Sequence, residues 1–134
     1  QELCRTAVEM RKMSYVPYSG FRVGAALLAQ SGRIYTGCNI ENAAFGPTNC
    51  AERTAFFKEV SEGDQTFTAI AIAGGPEDGE LQYCAPCGVC RQVMAEFCRP
   101  DFRIYLAKSE EDYRMYTLGE LLPEWFGPEN LPVS

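Results

Sequence analysis

The sequence predicts an α/β protein: a three-layer α/β/α sandwich around a mixed five-stranded sheet. Short apolar runs typical of strands alternate along the chain with amphipathic segments typical of helices, and this alternation favours helices packed on a sheet. The chain has 134 residues and is 46% hydrophobic, which is enough for one core without disulfide bonds. We therefore expect a single domain over residues 1–134.

The N-terminal third predicts a helix followed by a β-hairpin. Residues 2–13 carry their apolar side chains on one stripe, as in a helix that packs on a sheet. The apolar runs 23–29 and 34–38 flank the turn-forming residues 30–33, which is typical of a hairpin.

The rest of the chain alternates helices and strands. A loop of small residues leads into a helix that begins at Cys50 and ends at Gly63, and the nearly all-apolar run 66–73 is typical of a strand covered on both faces. After a polar loop at 74–80, the predicted elements are a helix from Cys90 to about Arg99 and Pro100, strands at 102–107 and 113–117, and a short helix at 118–122.

Composition restricts the function classes. The net charge of −6 argues against a nucleic-acid polymer as partner, because such binding needs clustered Lys and Arg. No apolar run reaches about eighteen residues, and the first residues lack the profile of a secretory signal, so we expect a soluble, cytoplasmic protein without a membrane partner. The chain has seven cysteines and no histidine, so a metal site would use thiolates and carboxylates.

Three cysteines have the spacing of a catalytic metal site. Cys50 is followed at a distance by Cys87 and Cys90, and each set stands at a predicted helix start. Three protein ligands leave the fourth tetrahedral position of zinc open, which is the catalytic arrangement. Cys84 leaves an alternative open, because as a fourth ligand it would make a closed, structural site.

Glu52 favours the catalytic interpretation. It follows Cys50 by two residues, roughly 200° around an α-helix, so the two side chains converge only if the helix points its N-terminus at the site. A zinc ion with three thiolates carries a net charge of about −1 and is a poor Lewis acid. We expect the helix N-termini, and hydrogen bonds from Arg53 and Arg91 to the sulfurs, to offset that charge.

The pattern Cys50-x-Glu52 with Pro86-Cys87-x-x-Cys90 resembles the zinc deaminase signature in its all-cysteine form. Along essentially the whole chain, the motifs resemble those of the small homotetrameric zinc-dependent cytidine deaminases, in the cytidine/deoxycytidylate deaminase superfamily. The motifs that carry this resemblance are Pro17-Tyr18-Ser19, Val23-Gly24-Ala25-Ala26-Leu27, Asn39-Ile40-Glu41-Asn42-Ala43, Cys50-Ala51-Glu52-Arg53-Thr54-Ala55, Pro86-Cys87-Gly88, Cys90-Arg91-Gln92, Leu121-Leu122-Pro123 and Phe126-Gly127-Pro128.

The resemblance implies a hydrolase of pyrimidine salvage with one zinc ion per chain, held by Cys50, Cys87 and Cys90. It would convert cytidine and 2′-deoxycytidine to uridine and 2′-deoxyuridine with release of ammonia. Glu52 would carry a proton from water to ring atom N3 and then to the departing amino group.

The resemblance also assigns the substrate contacts. Asn39 and Glu41 would bind a ribose hydroxyl, and strand alternation agrees if Ile40 turns to the core. The base would stack on Phe21 and its carbonyl would accept from the Ala51 N–H. A neighbouring subunit of a homotetramer would supply the remaining contacts, which are Ala43, Phe45 and Phe126.

Alternatives remain at this level. Phe21 and Phe126 also fit core aromatics, and Asn39 with Glu41 also fits a capped turn. Phe45 stands where the family commonly has Tyr, which removes one hydrogen bond to the sugar. The competing functions are deamination of a nucleobase or nucleoside-analogue antibiotic, and a binding module with a closed zinc site. The cysteines outside the ligand set are expected to be small buried hydrophobes: Cys4, Cys38, Cys84 and Cys98.

Overall fold

The computed structural model describes residues 2–44 and 48–121 of the chain. Its helices and strands are α1 (Glu2–Met10), β1 (Phe21–Leu28), β2 (Ile34–Cys38), α2 (Ala51–Ser61), β3 (Ala69–Pro76), α3 (Gly88–Phe97), β4 (Arg103–Ala107), β5 (Tyr113–Thr117) and α4 (Leu118–Leu121). None of the helices in these ranges is long and apolar enough to cross a membrane.

The strands form one mixed sheet, as predicted. Its order is β2-β1-β3-β4-β5. β3 and β4 run parallel, and the pairs β1–β2, β1–β3 and β4–β5 are antiparallel. A parallel pair needs a crossover connection, which contains α3. The start of β1 and the ends of β2 and β3 consequently lie at the same edge of the sheet.

Helices cover both faces of the sheet and complete the three layers. In β3, Ala69, Ala71 and Ala73 pack in a cluster with α1, whereas the alternating Ile70 and Ile72 pack in a cluster with α2 and α3. Residues two apart on a strand share a face, so this strand, which is buried at every position before Pro76, contributes to both cores. The prediction of an interior strand is confirmed.

Two glycines allow the helices to approach the sheet closely. A Cβ atom at Gly24 of β1 would lie 2.1 Å from the carbonyl oxygen of Ala7 in α1. A Cβ at Gly37 of β2 would lie 2.3 Å from the carbonyl oxygen of Ala51, the first residue of α2. The absent side chain at Gly37 therefore sets how closely the start of α2 lies to the end of β2.

Several predicted boundaries differ from the structure. The helix over 2–13 ends as an α-helix at Met10 and continues as a 3-10 turn over Arg11–Met13. The strand predicted at 66–73 starts later, because the Asp64 carboxylate accepts from the backbone N–H and the hydroxyl of Thr66 and holds that residue in a turn. It also ends later, at Pro76, because β1 pairs with it as far as Phe21. α3 stops at Phe97, since Cys98 is extended.

Candidate active site

Three sulfur atoms converge between the starts of α2 and α3. The Sγ atoms of Cys50, Cys87 and Cys90 all lie within 4.8 Å of one another. Cys50 Sγ is 3.7 Å from Cys87 Sγ, which is 3.2 Å from Cys90 Sγ. Tetrahedral zinc with Zn–S bonds of about 2.3 Å separates its sulfur ligands by about 3.8 Å. The first pair has this spacing and the second needs a small side-chain rotation, so the donor set fits zinc.

The fold presents these sulfurs at two helix N-termini. Cys50 is the N-cap of α2 and Cys87 is the N-cap of α3, both with extended backbone. The Cys90 N–H donates to Cys87 Sγ at 3.4 Å. Unsatisfied N–H groups give a helix start a partial positive charge, which stabilises thiolates.

Cys50 has the character of a thiolate. The hydrogen bond from the Cys90 thiol, followed by contacts with Arg53 and Cys87, lowers the pKa of Cys50 to about 5 despite the opposing effect of burial. The same hydrogen bond raises the pKa of Cys90. A site of this kind carries excess negative charge, which nearby donors must offset.

Arg53 supplies such a donor, as expected. Its Nη2 lies 3.4 Å from Cys50 Sγ and 3.4 Å from the Thr48 carbonyl oxygen. Arg91 was expected to donate to the sulfurs as well, but its hydrogen bonds are elsewhere. Arg91 Nε donates to the Pro86 carbonyl at 2.7 Å and its Nη1 to the Leu121 carbonyl at 2.7 Å. Arg91 therefore holds the loop before Cys87 in place.

Glu52 lies in the first turn of α2, beside the sulfurs. Its side chain is 5% exposed, and burial, with a smaller contribution from the Cys50 thiolate, raises the pKa of Glu52 to about 7. A carboxyl group with a pKa near neutrality can both accept and donate a proton at physiological pH.

Cys84 does not join the sulfur cluster. Within residues 2–44 and 48–121, the only group of three or more potential metal ligands is Cys50, Cys87 and Cys90. Cys84 packs instead against Gly74, where an added Cβ would lie 3.1 Å from Cys84 Sγ. Burial raises the pKa of this half-buried thiol. The described geometry thus favours three ligands and an open fourth position.

The sugar segment is built differently from the expected strand. β2 ends at Cys38, and Ile40 then forms isolated bridges with Tyr15 and Asn49. Ile40 was expected to turn to the core, but it is 41% exposed, because the chain has left the sheet before it. Of the flanking residues, Asn39 nevertheless contacts the start of β1, and Glu41 contacts the loop that precedes β1.

Asn39 and Glu41 are anchored by defined hydrogen bonds. Asn39 Nδ2 donates to the Phe21 carbonyl at 2.8 Å, and Asn39 Oδ1 accepts from the Val23 N–H at 2.9 Å. Glu41 Oε1 accepts from the N–H groups of Tyr18 and Ser19. Hydrogen bonds, first from the Ser19 hydroxyl, lower the pKa of Glu41 and keep it ionised.

The structure describes only three of the five remaining predicted substrate contacts. Phe21 is half-buried and its ring lies near Gly74 and therefore near Cys84. Ala51 is fully buried at the first position of α2, where helix N–H groups lack intrahelical acceptors. Ala43 is exposed. Phe45 and Phe126 lie outside the described residues.

Sequence reasoning missed two residues that join the sugar segment to the sulfur site. Asn49 exchanges backbone hydrogen bonds of 3.0 and 2.9 Å with Ile40, and its side chain donates to Thr54 Oγ1 at 3.0 Å. The Thr54 hydroxyl also contacts the Cys50 carbonyl at 3.1 Å. The only sequence signal for them was their position next to Cys50 and within its helix.

The chain matches a known family and its members. The family model for the cytidine and deoxycytidylate deaminase zinc-binding region matches residues 1–106. A cytidine deaminase of Sporosarcina psychrophila is 49% identical over 134 residues, covering 100% of this chain and 96% of that protein. One of Halalkalibacterium halodurans is 47% identical over 131 residues, covering 98% and 96%.

A solved structure agrees with these matches. The cytidine deaminase from Burkholderia pseudomallei superposes with a TM-score of 0.83 at 43% identity, covering 93% of this chain and 97% of that one. This likeness confirms the expected fold, and the match to the family's zinc-binding region, together with the thiol cluster of Cys50, Cys87 and Cys90 in this chain, confirms the predicted zinc cofactor. This chain belongs to the cytidine and deoxycytidylate deaminase family.

Proposed function

We propose that this protein catalyses the hydrolytic, zinc-dependent deamination of cytidine and 2′-deoxycytidine to uridine and 2′-deoxyuridine, with release of ammonia. The observation that carries the proposal is the juxtaposition of three sulfur atoms with the buried carboxyl of Glu52 at two helix N-termini. The relatives, which are cytidine deaminases by name, support the choice of substrate.

The zinc ion would be held by Cys50, Cys87 and Cys90, one ion per chain. When bound, zinc supplies the Lewis acidity that makes water nucleophilic near neutral pH. The protein offsets the negative charge of three sulfurs with the two helix N-termini and with the Arg53 guanidinium. Removing that compensation would make the site a weaker Lewis acid.

Glu52 would move the protons of the reaction. Hydrolysis at C4 of the base requires a proton to reach ring nitrogen N3 and another to reach the leaving amino group. A buried carboxyl with a pKa of about 7 can take a proton from water and deliver it to nitrogen in each step. Water exclusion around Glu52 strengthens its interactions with the polar atoms of the base.

The substrate contacts are assigned to the residues around this site. The base would stack on Phe21 and accept from the Ala51 N–H. An amide group has two N–H donors, and Asn39 uses one on the Phe21 carbonyl, so the second can reach the sugar. Glu41, ionised, would accept from the 3′-hydroxyl, which both substrates share.

We propose a homotetramer in which a neighbouring subunit supplies Ala43, Phe45 and Phe126. Large apolar side chains are exposed at the Tyr15–Ile40 bridge and in α2 and α3, the helices that present the sulfurs: Tyr15 is 57% exposed, Ile40 41%, Phe57 47% and Val89 57%. Exposed apolar surface of this kind supports subunit contacts.

A cytoplasmic role in pyrimidine salvage fits these features. All seven cysteines are free, which suits a reducing compartment. The net charge of −6 disfavours a polynucleotide substrate.

The variant Glu52→Gln tests the proposal, with Glu9→Gln, at an exposed position of α1, as the matched control. Loss of cytidine absorbance measures turnover, and metal analysis measures zinc. We expect Glu52→Gln to retain zinc and to lose about a hundredfold to ten-thousandfold in kcat, because it cannot transfer protons. The control should match the wild type. Full turnover by Glu52→Gln, or a wild type that does not consume cytidine, would contradict the proposal.

A further inference from the structure

The hydroxyl of Ser19 connects two of the proposed substrate contacts. It lies in the loop before β1 and is hydrogen-bonded to Glu41 Oε2. The same oxygen atom accepts the Phe21 backbone N–H at 3.0 Å. One small side chain therefore touches both the carboxylate proposed for the sugar and the backbone of the residue proposed for the base.

The direction of each hydrogen bond follows from chemistry. A backbone N–H only donates, so Ser19 Oγ accepts from Phe21. Glu41 has a lowered pKa and is ionised near neutral pH, and a carboxylate only accepts. The single hydroxyl proton of Ser19 is thus directed at Glu41, and the Phe21 N–H fixes the side chain in the orientation that does so.

The hydrogen bonds around Ser19 leave the Glu41 carboxylate one main orientation. Its Oε1 is occupied by the N–H groups of Tyr18 at 3.0 Å and Ser19 at 3.2 Å. Among the residues that the structure describes, the Ser19 hydroxyl is the only hydrogen-bond partner of Oε2. A carboxylate oxygen can accept more than one hydrogen bond, so Oε2 can still take a substrate hydroxyl. Without Ser19, that oxygen is free to rotate toward bulk water.

The loop itself is held independently of Ser19. The Gly20 N–H donates to the Val16 carbonyl at 3.1 Å, and the Gly20 carbonyl accepts from the Glu77 N–H at 2.7 Å. Gly20 has a φ of 68°, a conformation that glycine adopts without strain. Loss of the Ser19 hydroxyl should therefore alter the aim of Glu41 more than the path of the backbone.

We infer that Ser19 is a positioning residue for sugar recognition: its hydroxyl aims the Glu41 carboxylate at the 3′-hydroxyl of the nucleoside. This inference rests on the proposed function. It predicts that Ser19 governs the KM for substrates with that hydroxyl and has little influence on kcat, because Glu52 and the sulfurs are held by other contacts.

The test compares 2′-deoxycytidine with 2′,3′-dideoxycytidine, which differ only in the 3′-hydroxyl, on zinc-loaded full-length protein. For Ser19→Ala we expect kcat/KM for 2′-deoxycytidine to fall about fivefold to twentyfold through KM, since a hydrogen bond to a charged group is lost. The dideoxy substrate should change less than about twofold, because Glu41 has no partner on it and the Phe21 backbone is still held by the Asn39 amide and by pairing with β3. Ser19→Thr should restore most of the loss, and Ser31→Ala, in the distant β1–β2 turn, is the matched control.

A double variant separates positioning from a structural role. In a Glu41→Gln background, Ser19→Ala should cause little further loss, because the two residues act as one unit. Three results would overturn the inference: equal losses on both substrates, additive losses in the double variant, or no loss in Ser19→Ala. In each case, turnover of 2′-deoxycytidine by the wild type would still support the proposed function. A wild type without such turnover would overturn both.

Discussion

Glu59 is a buried carboxyl group whose ionisation should destabilise the fold. It lies near the end of α2 and its side chain is 0% exposed. Neither of its carboxylate oxygens has a hydrogen-bond partner among the described residues. The ionisable groups that face it come from three elements, and they are Asp64 after α2, Tyr35 of β2 and Cys98 at the end of α3. No cation is among these three groups.

The sign of the effect follows from the pKa of Glu59. Burial first, and the negative charge of Asp64 second, raise it from its usual value of 4.5 to about 8. Between these two values the folded state binds more protons than the unfolded state, so stability falls as pH rises. This loss of stability is absent below the pKa of Glu59 in the unfolded state and complete above its pKa in the folded state. At pH 7, about 2.5 units above the usual pKa of Glu59, the loss of folding stability is about 1.4 kcal/mol for each unit, or about 3 kcal/mol in total.

The variant Glu59→Gln removes this ionisation and keeps the shape of the side chain. We expect it to unfold at the same urea concentration as the wild type near pH 4 and to gain about 3 kcal/mol over it at pH 7, with the difference growing between those values. Far-UV circular dichroism at fixed protein and zinc concentrations measures both proteins at each pH, so effects of pH on zinc binding largely cancel.

The matched control for this experiment is Glu96→Gln, at an exposed position of α3. It should remain within about 0.5 kcal/mol of the wild type throughout. A stability difference for Glu59→Gln that is constant between pH 5 and 8, or a wild type more stable than the variant at pH 8, would refute the reasoning from burial.

Two further predictions concern the metal site and the assembly. Cys90→Ser should lose most of its zinc whereas Cys84→Ser should keep it, because of these two cysteines only Cys90 lies in the sulfur cluster. Metal analysis after dialysis measures the zinc content of both variants, and the opposite result would mean that the ligand set is wrong. Sedimentation should show a tetramer in which activity and assembly are lost together on dilution; an active monomer would exclude contacts from a neighbouring subunit and leave the zinc chemistry intact.

Much of the fold was predictable because its signals are local. The spacing of apolar residues identified the helix before Met10, the hairpin from β1 to β2 and the bounds of β5. The predictions were wrong where contacts between distant segments determine the structure. Pro76 belongs to β3 only because β1 pairs with it, and Ile40 is exposed only because the chain leaves the sheet after Cys38.

The buried carboxyl group of Glu59 shows the same division between local sequence signals and tertiary contacts. Glu59 lies three and four residues after Phe56 and Ala55, on the helical face that those two residues bury. The periodicity was visible in the sequence, yet only the packing of α2 against its neighbours shows that no partner reaches this carboxylate among the described residues.

The sequence by itself indicated the chemistry, which is a zinc site of cysteines with a glutamate beside it, because ligand type and spacing along two helix starts are properties of the chain. It left open whether Cys84 joins the ligands, and the structure places Cys84 outside the sulfur cluster. Only the tertiary structure decided how the surrounding residues serve that chemistry. Arg53 reaches Cys50 Sγ whereas Arg91 binds the carbonyls of Pro86 and Leu121, although both arginines closely follow a ligand. Ser19 meets Glu41 across 22 residues of chain. Long polar side chains and loop hydroxyls take whatever partner the fold brings within about 3 Å, and spacing along the sequence does not encode that distance.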